Sequence, residues 1–328
     1  LVNRPLEMVM TDDLIFTSSR GSVYQFTKSG SFIRKVNKIG KGPNECFGRT
    51  FTVNPKNQNI YIYDNYKHDI KIFDFEGIFH KTIGEVNFQA NFDETESLIS
   101  YKNHLIFEKI GLKPIENFFY VKNLDCDSLV YSHKNHYNVE LKKRVRMFES
   151  FGTYFQTYKD TLLFKEKFCD SLFYTSDFKT FQAKYIFKLP SNKLSYEEDI
   201  KMRALELPQE YDKKFRILRV IETNKYILFS IINNEKKYLS IYNKINNELK
   251  TQKGLVILND YDNGVDFRTF GFESNISHAD TIYSTIDPYE LIESQKQHYE
   301  NMIDNSNLLD LMKNITQNDN SIIMHVVL

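Results

Sequence analysis

The chain has no tryptophan, only three cysteines, seven prolines and twelve glycines among 328 residues. The cysteines are Cys46, Cys126 and Cys169. An odd count excludes a disulfide framework, although one bridge plus one free thiol stays open. Net charge is also missing: Lys+Arg and Asp+Glu both number 43. That balance argues against a general binder of nucleic acid or anionic membranes. No apolar run reaches the length of about 18 residues that a transmembrane helix needs. There is no GxSxG and no CxxC, so no linear motif announces a hydrolase elbow or a thiol redox site.

What is present is a sentence written twice. Leu14–Lys35 reads LIFTSSRGSVYQFTKSGSFIRK, and Tyr61–Thr82 reads YIYDNYKHDIKIFDFEGIFHKT. The two align without a gap. Ile15 meets Ile62, Val23 meets Ile70, Phe26 meets Phe73, Gly30 meets Gly77 and Phe32 meets Phe79. A repeat of about 40–50 residues built from short alternating strands is the pattern of propeller blades.

Phe51–Gly84 shows one unit in full. Phe51-Thr52-Val53 alternates, and Asn54-Pro55-Lys56-Asn57 is turn chemistry. Ile60–Tyr63 is β-branched and aromatic, and Asp64–His68 is a polar loop. Ile70–Phe73 alternates again, Asp74–Gly77 is a hairpin turn, and Ile78–Ile83 is a fourth strand. Gly77 and Gly30 are expected at positive φ. Such a sheet cannot bury both faces alone, and stacking units side by side buries them. Second strands are anchored at Ile15, Ile62, Ile106, Leu163, Leu228 and Ile282, which gives six units. Third strands follow at Phe118–Val121, Ser171–Tyr174 and Tyr238–Tyr242. The expectation is an all-β chain, one six-bladed propeller domain of four-stranded antiparallel blades over residues 1–328. Its 27 Phe and 21 Tyr suit the layers between radial sheets.

Two helical insertions interrupt the pattern. Ser195-Tyr196-Glu197-Glu198 is a capping box opening a helix to about Leu205. Asp287-Pro288-Tyr289-Glu290 opens another, with a second piece over Leu308–Ile315, so this insertion spans about 287–316. The apolar run Ile322–Val327 reads as a strand that closes the ring, a natural partner for the beginning of the chain, in the blade adjoining the N-terminal one or in that blade itself.

Gly40-Lys41-Gly42-Pro43-Asn44-Glu45 lies between the first two repeats, and Asn259–Gly264 lies late in the chain. The first resembles the GxGPgE loop of a six-bladed, NHL-repeat-like propeller family common among exported lipoproteins of Bacteroidetes. The second is similar to that family's late loop, and Asp319–Ile322 is similar to its closing strand. The resemblance implies the fold and export, to the periplasm or to a lipid anchor on the outer membrane. Leu1-Val2-Asn3-Arg4 show no leader pattern, so export places one before them. The family has no agreed activity, and no catalytic residue carries over from it.

Gly40–Glu45 is not a phosphate cradle, because Pro43 removes an amide donor and no helix follows. A rigid loop joining two blades is the plainer reading. In a propeller that loop shares a face with the turn between second and third strands. Arg20, Lys41, Asn44, Glu45, Arg49, Asp64, Tyr66 and His68 are therefore the candidate ligand-binding residues. Asp260-x-Asp262-x-Gly264 hints at calcium, but its glycine and glutamate positions do not fit an EF-hand loop. His133-x-x-His136 matches no zinc spacing. Lys142-Lys143-Arg144-Val145-Arg146 reads as a solvated strand edge.

Two functions follow. The first is an exported, non-catalytic propeller without cofactor that binds a small molecule, glycan or protein on one face. The second is a metal-dependent hydrolase or lyase, similar to gluconolactonase-type propellers, with a divalent cation such as calcium held by Asn54, Asp64 and Asp260.

Overall fold

The computed structural model describes residues 7–84, 94–110, 117–134, 153–205, 207–257, 267–268, 281–298, 314–316 and 322–327. The chain forms a six-bladed β-propeller. Blade one is β1 (Glu7–Met10), β2 (Leu14–Ser19), β3 (Ser22–Thr27) and β4 (Phe32–Lys35). Blade two is β5 (Phe51–Asn54), β6 (Asn59–Asp64), β7 (Asp69–Asp74) and β8 (Phe79–Ile83). Blade three is β9 (Glu94–Tyr101), β10 (His104–Ile110), β11 (Asn117–Asn123) and β12 (Ser128–Lys134). Blade four is β13 (Thr153–Tyr158), β14 (Thr161–Glu166), β15 (Ser171–Thr175) and β16 (Gln182–Ile186). Blade five is β17 (Arg216–Glu222), β18 (Tyr226–Asn233), β19 (Lys236–Asn243) and β20 (Glu248–Lys253). Each of the five is an antiparallel sheet in chain order. Blade six holds β21 (Val256–Ile257) paired with β22 (Phe267–Arg268), and β23 (Thr281–Ile286) paired with β24 (Ile322–Val327).

The second strands are buried on both faces, and the period of two sorts their side chains between neighbours. In β6, Ile60 and Ile62 pack toward blade one with Phe16, Val23 and Phe51. Tyr61 and Tyr63, on the opposite face, pack toward blade three with Leu98, Leu105 and Phe107. The same split recurs in β14, where Leu162 and Phe164 meet Phe119 of blade three while Leu163 meets Val220 of blade five. In β18, Leu228 joins Phe267 and Ile282 of blade six. Five of the six expected second-strand anchors fall on second strands, Ile282 falls on β23 of blade six, and all six are buried.

Ile322–Val327 forms the expected strand, β24, in the blade adjoining the N-terminal one. Among the described residues β24 pairs along its whole length with β23, from Thr281↔Val327 to Ile286↔Ile322. It does not pair with β1, whose ladder is with β2. Blade six instead meets blade one through side chains, with Tyr283 and Ile323 against Met8, Met10, Ile15 and Phe26.

The hairpin glycines behave as their position requires. Gly30 has φ +89° and Gly77 φ +76°. The Gly77 amide donates to Asp74 O, and the Asp74 carboxylate takes the Glu76 and Ile78 amides. A register shift follows at Ile72/Phe73, matched at Gln25/Phe26 in blade one. A Cβ on Gly77 would meet nothing closer than Arg34 Cδ at 3.4 Å, so the cost of substitution is in the backbone. Gly77→Val is expected to lose about 1–3 kcal/mol in chemical denaturation. A variant as stable as the native chain would refute the strain argument.

The capping box at Ser195 is present. The Glu198 amide donates to Ser195 Oγ and the Ser195 amide to Glu198 Oε2, opening α1 (Tyr196–Ala204). A second short helix, α2 (Pro208–Lys213), was not expected. The insertion in blade six starts as α3 (Pro288–His298), with the Tyr289 amide on Asp287 Oδ1. Most of Leu308–Ile315 lies outside the described residues. All three cysteines are free thiols.

Candidate ligand-binding face

β1 approaches β5, β5 approaches β9, and β13 approaches β17, so first strands line the central axis. A segment passing from a fourth strand to the next first strand therefore arrives on the face where second strands end. This puts segment 36–50 beside the turn between β6 and β7, and beside the Arg20-Gly21 turn of blade one. The structure shows these three loops in contact. Lys67 Nζ donates to Gly42 O at 2.8 Å, and the Asn65 amide donates to Phe47 O at 3.0 Å. The Gly48 amide donates to Gly21 O at 3.0 Å.

Two buried polar side chains fasten the loops. Asn37 accepts the Val23 amide on Oδ1 at 2.7 Å and donates through Nδ2 to Gly21 O and Cys46 O. Asp64, 0% exposed, accepts the Phe47 amide at 3.2 Å and the Tyr66 amide at 2.9 Å on Oδ1. Cys46 is buried beside them, and burial followed by the Asp64 charge pushes its thiol up to about 12. It is not a nucleophile at neutral pH.

Glycine is required where the loops cross. Gly21 has φ +82°, and a Cβ there would lie 2.3 Å from the Phe47 ring. A Cβ on Gly40 would lie 2.0 Å from Glu45 Oε2. Glu45 itself folds back over its own loop. Its Oε1 pairs with Lys38 at 2.8 Å and its Oε2 accepts the Gly42 amide at 3.0 Å. The hydrogen bond from Lys38, then that from Gly42, holds this carboxyl below the usual carboxylate range.

Arg20, Lys41, Asn44, Arg49, Tyr66 and His68 stay exposed. Lys41 Nζ lies 5.7 Å from the Tyr66 ring centre, and Arg49 lies 5.3 Å from that of Phe47. The two rings stack on each other at 5.1 Å. His68 has φ +55°, donates its amide to Asp64 O and meets Tyr63 Oη through Nδ1 at 3.0 Å. Glu45 and Asp64 therefore build the loops, whereas the cations and Tyr66 project from them.

Of the residues considered for a cation, Asn54 and Asp64 are not brought together. Asn54 ends β5 at the turn into β6, capping the Lys56 and Asn57 amides, whereas Asp64 ends β6 at the other end of the blade. Asp260, His136 and Lys142–Arg146 lie outside the described residues. Among the described residues no three His, Cys, Asp or Glu side chains cluster as metal ligands. His133 has a different setting from the one its spacing hinted at. Its ring stacks on Phe119 at 4.7 Å, Nε2 meets Glu166 Oε1 at 2.6 Å, and Nδ1 meets Tyr131 Oη at 2.9 Å. This row joins blades three and four. Burial and then the Glu166 charge push the Tyr131 phenol up, away from the reactive phenolate.

The model of the domain of unknown function DUF4934 matches residues 1–327. The chain belongs to that family. A search of the curated proteins returned no match. Among solved structures, this DUF4934 chain is similar to a presumed exported protein of Bacteroides fragilis NCTC 9343. That match has TM-score 0.73 and 15% identity, covering 100% of this chain and 91% of that one. It is also similar to a DUF4221-family member from Bacteroides vulgatus ATCC 8482, with TM-score 0.53 and 11% identity over 78% of this chain and 83% of that one. At such identities the likeness is one of fold. No helix among the described residues is long and apolar enough to cross a membrane.

Proposed function

We propose that this DUF4934 chain is an exported, non-catalytic propeller that binds a partner on the face formed by Arg20, segment 36–50 and residues 64–69. One observation carries the reading. The loops are fastened from within by Asn37 and Asp64, so Arg20, Lys41, Arg49 and Tyr66 are held on the surface and stay exposed. Preorganised exposed side chains on rigid loops are where scaffolds of this kind carry binding. Export is supported by the likeness to the B. fragilis protein and by the Gly40–Glu45 loop, which also supports NHL-like kinship. A lipid-anchored placement belongs to the same reading, and fractionation of the native host checks it: recovery in the cytoplasm overturns export.

Thermal-shift screening against small molecules, glycans and peptides tests the face. Arg49→Ala and Tyr66→Ala are expected to abolish a ligand-induced shift while leaving the unliganded melt nearly unchanged, because both side chains are exposed. Ligand shifts that survive both substitutions overturn the assignment.

A further inference from the structure

We infer, building on the binding reading above, that the occupant of this face is an acidic segment of a protein partner. The first argument is charge. The chain as a whole is neutral, with 43 residues of each sign, but this face is not. Its carboxylates are consumed internally, Glu45 by Lys38 and the Gly42 amide, and Asp64 by the Phe47 and Tyr66 amides. Arg20, Lys41 and Arg49 are exposed and, among the described residues, form no ion pair with a carboxylate. Lys67 adds a further cation whose ammonium is fixed on Gly42 O. Complementarity therefore asks for a partner rich in Asp or Glu.

The second argument is the kind of cation and its company. Two of the three unpaired cations are arginines, whose planar fork takes a carboxylate through two hydrogen bonds. Tyr66, 51% exposed, stands beside them on Phe47. Arginine and tyrosine are the side chains that anchor protein interfaces. The cations rise from three separate loops rather than along one groove, and the exposed rings beside them do not form a row, Tyr66 leaning on Phe47 and His68 on Tyr63. A regularly charged polymer such as a nucleic acid or sulfated glycan is bound by a continuous basic track or a row of stacking rings. The third argument is rigidity. Loops fastened by Asn37 and Asp64 lose little freedom on binding, so a few contacts suffice.

The test uses a fluorescent peptide of about ten residues alternating Glu and Ser, a Lys-for-Glu counterpart and dextran sulfate, each titrated by anisotropy at low and physiological salt. The Glu peptide is expected to bind, more weakly as salt rises, and the Lys peptide is not. Arg20→Ala with Arg49→Ala should weaken the Glu peptide by about tenfold or more, and Arg49→Lys by less, because the fork is lost but the charge is kept. Unchanged melting of each variant keeps the comparison one of binding. Failure of the Glu peptide to bind, or binding indifferent to Arg20 and Arg49, overturns the inference. Tighter binding of dextran sulfate with the same arginine dependence replaces the protein segment by an acidic polysaccharide. A neutral or basic ligand whose thermal shift is lost in Arg49→Ala and Tyr66→Ala leaves the binding face standing and removes only its acidic partner. Absence of any such ligand removes both.

Discussion

A chain ending at Ser321 is expected to melt at least ~5 °C lower than the native one and to scatter light on warming. The segment removed does three jobs. Ile323 packs with Met8, Met10, Ile15 and Tyr283 against blade one. Met324 and Val326 pack with Leu228, Leu239, Phe267 and Ile282 against blade five. Ile322 covers Ile286 and Leu291. Half-burying these four side chains contributes roughly 1 kcal/mol each, a large part of an ordinary stability of about 5–15 kcal/mol. The truncation also leaves β23, Thr-Ile-Tyr-Ser-Thr-Ile, with an unpaired edge of high β-propensity. Calorimetry with parallel light scattering checks both effects. A truncated protein with the native transition would show that blade six closes the ring without its last strand.

Asp64→Ala is the substitution expected to do most damage from a single loop position. It strands the amides of Phe47 and Tyr66, which share Oδ1 of the fully buried Asp64 side chain. Each orphaned buried donor costs about 1–3 kcal/mol, so a loss of roughly 2–5 kcal/mol is expected in urea denaturation. Asp64→Asn keeps the accepting oxygen and should recover most of it. The difference between the two variants isolates the fastening from mere loss of volume. Amide exchange at Phe47 and Tyr66 should accelerate in Asp64→Ala and stay slow in Asp64→Asn. Equal stability of Asp64→Ala and the native chain would mean that the loops are held elsewhere.

The architecture was legible because a propeller strand advertises itself twice. Ile60 and Ile62 serve one neighbour and Tyr61 and Tyr63 the other, so the run is apolar on both faces and short. The paired glycines at 30 and 77 then set the frame. What escaped was what depends on distant partners. α2 has no side-chain cap and no apolar stripe, and little in Pro-Gln-Glu-Tyr-Asp-Lys marks a helix beyond its leading proline. The apolar run of β24 asks for a partner without saying which, and β23 supplies one edge. The two loops do meet, yet the division of labour among their side chains was hidden. Glu45 and Asp64 look like the chemistry-bearing residues, but a carboxylate in a turn is as ready to accept a backbone amide as a ligand. Asn37, which fastens all of it, is one asparagine among many. His133 drew attention through His136 in sequence, whereas its actual partners are Tyr131 and Glu166.

Every described hydrogen-bond ladder joins strands from one continuous stretch of chain, and blades touch one another through side chains. Blades one to five are thus self-sufficient beads on a necklace, each hydrogen-bonded within its own stretch of chain. New chain ends could be opened between any two of these five without severing a described ladder. Tension applied to the C-terminus reaches the β23–β24 zipper first among the described ladders, and blades one to five keep theirs when it opens.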